Sequence, residues 1–192
     1  YRSFEALGIS DITIKLNHRG IFNRFLDKYG IKEKSTEIMR AIDKLSKIGP
    51  DEVRSLLEAE VGADTAEKIL TYIQPKDNYL DTLDMISDLS GGESEESRRM
   101  RELHAGFKAL EIEDRFVLDS SIMRGLDYYT GIVYETFFNE LPEIGSVCSG
   151  GRYNDLASLY TKTHLPGVGS SIGLDRLMAA LEELGRSRLD TG

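Results

Sequence analysis

The pattern of apolar and polar positions divides the chain into three stretches. Near the start, Ile12, Ile14 and Leu16 alternate with Thr13 and Lys15, the period of two that marks a half-buried strand. Residues 1–7 read as the closing turns of a helix that began upstream, with Gly8 as its stop. After the strand, Ile21, Phe22, Phe25 and Leu26 recur at helical spacing as far as Gly30. Between residues 32 and 111 the period is helical and no strand is expected. Val53, Leu56, Leu57 and Val61 form one series, Ala66, Ile69, Leu70 and Ile73 a second, and Leu80, Leu83 and Ile86 a third. Asp51, after Pro50, and Asp77 or Asn78 are placed to start helices. Gly91-Gly92 is a break, and residues 93–110 read as one charged helix.

Strand character returns at Phe116-Val-Leu118 and is strongest at Ile132, Val133, Tyr134, Thr136 and Phe137, β-branched and aromatic residues that suit a pleated surface. A turn with Pro142 follows. Ser146-Val-Cys148 is a short strand ending in Ser149-Gly150-Gly151, and residues 152–160 read as a short helix with Leu156 and Leu159 turned inward. Residues 168–172 form a last strand, and Gly173 opens a helix. Its Leu174, Leu177, Met178, Leu181 and Leu184 make one apolar stripe. The expectation is an α/β (α+β) fold. A catalytic or binding sheet is contributed by residues 1–31 and 112–192, and an all-helical insertion by 32–111.

Composition narrows the function. With 192 residues, 40% hydrophobic and 30% charged, the chain is long enough for a real core and ordinary for a globular protein. A net charge of -9 argues against a general nucleic-acid binder, because phosphate contacts need clustered cations. The helical stretch is itself acidic, with twelve basic and eighteen acidic residues. Its best basic cluster is Arg98, Arg99, Arg101 and Lys108, whose ordinary reading is a solvated helix face. Cys148 is the single cysteine, so no internal disulfide can form, which fits a reducing, cytoplasmic setting. No apolar run approaches the ~20 residues of a membrane span. The chain opens on Tyr1 without a signal-peptide pattern, which suggests an internal or processed boundary.

Candidate chemistry concentrates in the last third. Arg124, Asp127 and Glu135 lie within twelve residues of one another beside a strand pattern, and charge there is costly unless paired or used. Tyr128 and Tyr129 are adjacent. The tandem glycines 150 and 151 would let a backbone approach a ligand closely, although alone they equally mark a tight turn. Arg176 lies ~200° around the final helix from Leu174 at ~100° per residue, away from the stripe and in the first turn. A helix N-terminus with an arginine makes a good phosphate site. His18, at a strand-to-helix junction, reads as a cap or hydrogen-bonding residue.

Three motifs carry a resemblance. Arg124-Gly-Leu-Asp-Tyr-Tyr-Thr-Gly131, Gly145-Ser-Val-Cys-Ser-Gly-Gly-Arg-Tyr-Asn-Asp155 and Pro166-Gly-Val-Gly-Ser-Ser-Ile-Gly-Leu-Asp-Arg-Leu177 occur in order. They resemble the histidine motif, the glycine-rich segment and motif 3 of histidyl-tRNA synthetases, which are class II aminoacyl-tRNA synthetases. The resemblance implies activation of histidine by ATP to histidyl-adenylate and transfer to tRNA(His), with Mg2+ bridging the phosphates through unassigned ligands. It implies Arg124 as the catalytic arginine on the α-phosphate and histidine carboxylate. Tyr128, Tyr129, Gly150, Gly151 and Tyr153 would form the histidine pocket. Arg176 and Gly173 would hold ATP, and Glu135 would brace the site. Cys148 is expected to be a packed thiol, and Asn154 stands where the family usually has aspartate.

The resemblance also implies a homodimer in the complete enzyme. Motifs 1 and 2 would lie before Tyr1, and the anticodon-binding domain would follow Gly192. The chain is therefore expected to be an internal fragment, inactive alone. The alternative is a catalytically silent synthetase-like regulatory or tRNA-sensing module. Against it stand the intact Arg124-Gly-Leu-Asp-Tyr-Tyr run and the helical insertion, which such regulators usually lack.

Overall fold

The computed structural model describes residues 1–123 and 128–186. Five strands form one sheet: β1 (Ile12–His18), β2 (Phe116–Leu118), β3 (Ile132–Phe138), β4 (Cys148–Tyr153) and β5 (Gly167–Ile172), in the order β2-β1-β3-β4-β5. β2 runs parallel to β1, and the other neighbours are antiparallel. Register explains the two faces. Ile14, Thr136, Cys148 and Ile172 stand opposite one another across four strands, as do Lys15, Glu135, Ser149 and Ser171. Successive residues of a strand point to opposite faces, so the first row belongs to an apolar face and the second to a polar one. Beside the polar row runs a row of Asn17, Val133, Gly151 and Gly169.

Helix α1 (Arg2–Ala6) precedes β1 and ends before Gly8, whose φ of 76° suits a residue without Cβ. Helix α2 (Arg19–Lys28) follows β1 directly and buries Ile21, Phe22, Phe25 and Leu26. Between residues 32 and 111 the described elements are helical, as the period predicts: α3 (Ser35–Asp43), α4 (Leu45–Ile48), α5 (Pro50–Val61), α6 (Ala63–Tyr72), α7 (Tyr79–Leu89) and α8 (Glu95–Ala109). Pro50 occupies the first turn of α5, where its missing N–H costs nothing. Asn78 caps α7 by accepting from the Asp81 N–H at 2.9 Å. Ser94 and Ser97 close a capping box on α8.

These helices and α2 share one core. Phe22 and Phe25 pack on Tyr72 with ring centroids 5.3 and 4.8 Å apart, and Leu16 of β1 joins the same cluster. A second cluster, around Phe4, Ile12, Phe138, Val147 and Leu177, ties α1 and the last helix, α9 (Leu174–Glu183), to the other end of the sheet.

Three expectations are corrected. β4 does not end at the glycine pair but runs through it to Tyr153. Arg152 and Tyr153 therefore pair with Val168 and Gly167 instead of opening a helix. Only a single 3₁₀ turn, Leu156–Leu159, remains, with Leu159 exposed. The inter-strand ladder satisfies the backbone of Arg152 and Tyr153, so local helical periodicity loses. In α9 the buried face is rotated from the expected stripe. Leu177 and Ala180 are buried and Leu181 and Leu184 pack beside them, while Leu174 is 66% exposed and Met178 37%. Ala180 belongs to the same cluster as Phe4, Val147 and Leu177.

Candidate functional site

The polar face of the sheet supplies a floor, and its glycines leave room on it. A Cβ on Gly151 would lie 2.6 Å from the Ile132 carbonyl and 2.8 Å from Cδ1 of Tyr129. Tyr129 therefore rests directly on backbone where any larger residue would displace it. Gly169 does the same for Tyr153: a Cβ there would be 2.8 Å from its phenol oxygen. Gly167, paired with Tyr153 in register, has the same ring against it. Gly150 points the other way, and a Cβ there would sit 2.5 Å from the Tyr134 hydroxyl. The two tandem glycines thus open opposite faces, as strand alternation requires. Gly167 and Gly169 were not singled out from the sequence. Their signal was a Gly-Val-Gly alternation inside a strand, which marks close approach of another group.

The three tyrosines come together. Tyr128 and Tyr129 have centroids 4.8 Å apart, Tyr128 meets Tyr153 edge-on at 5.4 Å, and Tyr129 and Tyr153 are 6.2 Å apart. Burial, aided by a hydrogen bond with the Tyr128 phenol, pushes the Tyr129 hydroxyl up to about 12. It is a neutral phenol at pH 7, able to donate to or accept from a ligand nitrogen.

Beside Tyr129 lies a cleft of about 260 Å³ bordered by Glu135, Ser146, Ser149, Gly150 and Arg176. Arg176 is exposed in the first turn of α9, and its Nη1 donates to the Ser146 carbonyl at 2.6 Å. It also borders a cleft of about 450 Å³ at the start of α9, with Ser149, Ser171, Gly173 and Asp175. Gly173 donates its own N–H to the Val147 carbonyl at 2.9 Å. No side chain caps α9, which leaves its first-turn amides without a side-chain partner, as at many helix N-termini. Tyr129, Glu135 and Arg176 thus border one cleft, with Tyr128 and Tyr153 packed on Tyr129.

Other expected residues fall as follows. Arg124, with Gly125, Leu126 and Asp127, lies outside the described residues. His18 caps α2, its Nδ1 accepting from the Gly20 N–H at 3.0 Å. Burial holds its imidazole down at about 4 instead of 6.5, with Glu96 opposing the shift and Arg152 adding to it. Cys148 is a buried thiol with Sγ 3.3 Å from the Ser170 hydroxyl. Arg99 pairs with Glu102, and Arg101 with Asp84 and Glu93, so the basic cluster on α8 is a mixed-charge face. Among the described residues no group of three or more His, Cys, Asp or Glu side chains could hold a metal ion, and no helix is long and apolar enough to cross a membrane.

A largely antiparallel sheet, flanked by helices and ending in a strand that feeds an arginine-bearing helix, is the framework of a class II aminoacyl-tRNA synthetase catalytic domain. The family model described as histidyl-tRNA synthetase matches residues 1–177. The histidine–tRNA ligase of Treponema denticola is 51% identical over 193 aligned positions, covering 97% of this chain and 43% of its own length. That of Rhodopirellula baltica is 44% identical, covering 94% and 42%. The crystal structure of histidyl-tRNA synthetase from Nostoc sp. PCC 7120 superposes with a TM-score of 0.85 at 35% identity, over 96% of this chain and 45% of that one. The chain belongs to the histidyl-tRNA synthetase family, and it spans under half the length of these relatives.

A structure from Bacillus halodurans described as an ATP phosphoribosyltransferase regulatory subunit/histidyl-tRNA synthetase shares the fold, with a TM-score of 0.77 at 19% identity over 94% of this chain.

Proposed function

We propose that this chain forms part of the catalytic domain of a histidine–tRNA ligase, with residues 32–111 as a helical insertion into it. The observation that supports this best is the tyrosine wall seated on Gly151 and Gly169, next to a cleft that Glu135 and Arg176 share. Histidine would lie with its imidazole against Tyr128, Tyr129 and Tyr153. A phenol held neutral offers a hydrogen bond to a ring nitrogen and an apolar ring face to the rest. Gly151 would keep the floor open, Gly150, whose Cβ position turns to the other face, would lend only backbone, and Glu135 would brace the pocket.

The carboxylate of histidine is ionised at pH 7, so its attack on the α-phosphorus of ATP needs alignment and not a strong base. One phosphorus–oxygen bond forms to the carboxylate, and the bond to the β-phosphate breaks, releasing pyrophosphate. Charge grows on the phosphate oxygens in that step. A planar, permanently charged guanidinium that can hold two oxygens suits the task. Arg176, with the first-turn amides after Gly173, would hold the β- or γ-phosphate. Arg124 is the proposed partner of the α-phosphate and the histidine carboxylate. Mg2+ would travel with ATP. The described residues offer no dedicated carboxylate cluster for it.

The second step would pass the histidyl group to the terminal ribose of tRNA(His), in the cytoplasm and within a dimer of the complete synthetase. The test is calorimetric titration of this chain with histidine against a panel of other amino acids. Selective binding of histidine, lost in Tyr129→Ala, is the expected result. Equal response to every amino acid would refute the pocket.

A further inference from the structure

The described residues on either side of positions 124–127, around Met123 and around Gly131, converge on one residue, Arg19. On the first side, the Asp119 N–H donates to the Leu16 carbonyl at 3.0 Å. Asn17 Nδ2 donates to the carbonyls of Ser120 and Ile122 at 3.3 and 3.1 Å. Arg19 Nη1 then donates to the carbonyl of Met123 at 2.9 Å. On the second side, the Arg19 N–H donates to the Gly131 carbonyl at 3.0 Å. The Thr130 N–H donates to the Arg152 carbonyl, and the Asn154 N–H to the Thr130 hydroxyl, both at 3.0 Å. Arg19 thus holds the Met123 side with its guanidinium and the Gly131 side with its backbone N–H.

Two features say that the guanidinium is not there for the helix it belongs to. Arg19 is the first residue of α2, where the positive end of the helix dipole disfavours a cation. It is also buried, at 7% exposure, next to an Asn17 that is wholly buried. A buried cation is costly unless its donors are used. One donor is spent on a backbone carbonyl that no regular element satisfies. Arginine is suited to this because its donors form a fixed planar fork that stays charged at any working pH.

We infer that Arg19 is a positioning residue. Its guanidinium ties Met123 to the point where its own backbone pairs with Gly131, and thereby fixes Met123 relative to Gly131 and the setting of Tyr128 and Tyr129 on Gly151. Asn17 completes the clasp on the incoming side. The consequence for histidine binding rests on the function proposed above. The clasp itself does not.

The experiment compares the chain with Arg19→Gln and Arg19→Lys by hydrogen exchange resolved to peptides, alongside histidine calorimetry. In Arg19→Gln, exchange across residues 119–131 is expected to accelerate tenfold or more, with α5 and α6 unchanged, and histidine affinity to fall at least tenfold. Arg19→Lys, which keeps the charge but not the fork, is expected to fall between the two. Unchanged exchange in 119–131, or equal acceleration in α5 and α6, would overturn the clasp. If Arg19→Gln does not fold, the same comparison on Arg19→Lys decides. A wild-type chain that binds no histidine would refute a histidine pocket complete in this chain, and the exchange pattern would still judge the clasp.

Discussion

His18 gives the chain a pH dependence whose sign and size follow from its burial. In the folded state the imidazole titrates at about 4. In the unfolded chain it returns to the ordinary 6.5. Between those values the unfolded state takes up a proton that the folded state refuses. Stability from this group is therefore complete above pH 6.5 and is lost as pH falls towards 4. One pKa unit corresponds to about 1.36 kcal/mol, so the loss is about 2 kcal/mol at pH 5 and about 3 kcal/mol once fully developed. Protonation also removes the Nδ1 lone pair that accepts from the Gly20 N–H.

The comparison is with His18→Asn, which keeps an acceptor at the cap without titrating. Urea unfolding of both proteins at pH 7.5 and pH 5.0 should show the wild type losing about 2 kcal/mol more than the variant. Carboxylates common to both cancel in the difference. Equal losses in the two proteins would mean that His18 is not held neutral by burial, and the reasoning would fail.

Three further outcomes are expected. Gly151→Ala should abolish histidine binding by calorimetry and lower the urea midpoint, since its Cβ meets the Ile132 carbonyl and the Tyr129 ring; overpacking of this kind costs about 1–3 kcal/mol. Leu177→Ala should cost about 2–5 kcal/mol of stability in the same assay, and Leu174→Ala well under that, because only Leu177 is buried. In the complete synthetase, Arg176→Ala should weaken ATP in pyrophosphate exchange, and Arg124→Ala should slow adenylate formation by about two orders of magnitude, as for a lost electrostatic stabiliser.

Much of the fold was legible in local pattern. The alternation at Ile12, Ile14 and Leu16 and the spacing at Ile21, Phe22, Phe25 and Leu26 reappear as the buried faces of β1 and α2. The helices between residues 32 and 111 were legible for the same reason. Burial against a neighbour imposes its period on the chain, and Gly49, Gly91 and Gly92 fall where φ is positive. The motif residues Tyr128, Tyr129, Gly151, Tyr153 and Arg176 were legible as a set, and the structure brings the tyrosines and Gly151 together, with Arg176 bordering the same cleft as Tyr129. The course of β4 beyond Gly151 was not legible, because Arg152 and Tyr153 carry no strand propensity that outweighs a short helical pattern. Their state is set by β5, fourteen or more residues away.

The sequence alone determined the identity of most elements, β4 beyond Gly151 excepted, and the chemistry available, since periodicity, caps and motif residues are properties of neighbours along the chain. Tertiary structure decided which way each element turned. Pairing set Gly150 against Tyr134 and Gly151 against Ile132 and Tyr129, and the cluster that holds Phe4 and Val147 took in Ala180 and left Leu174 exposed. The same structure buried Arg19 at the point where two distant segments meet. Each of these is a contact between residues far apart in sequence. The free energy of such a contact depends on geometry that no local pattern encodes.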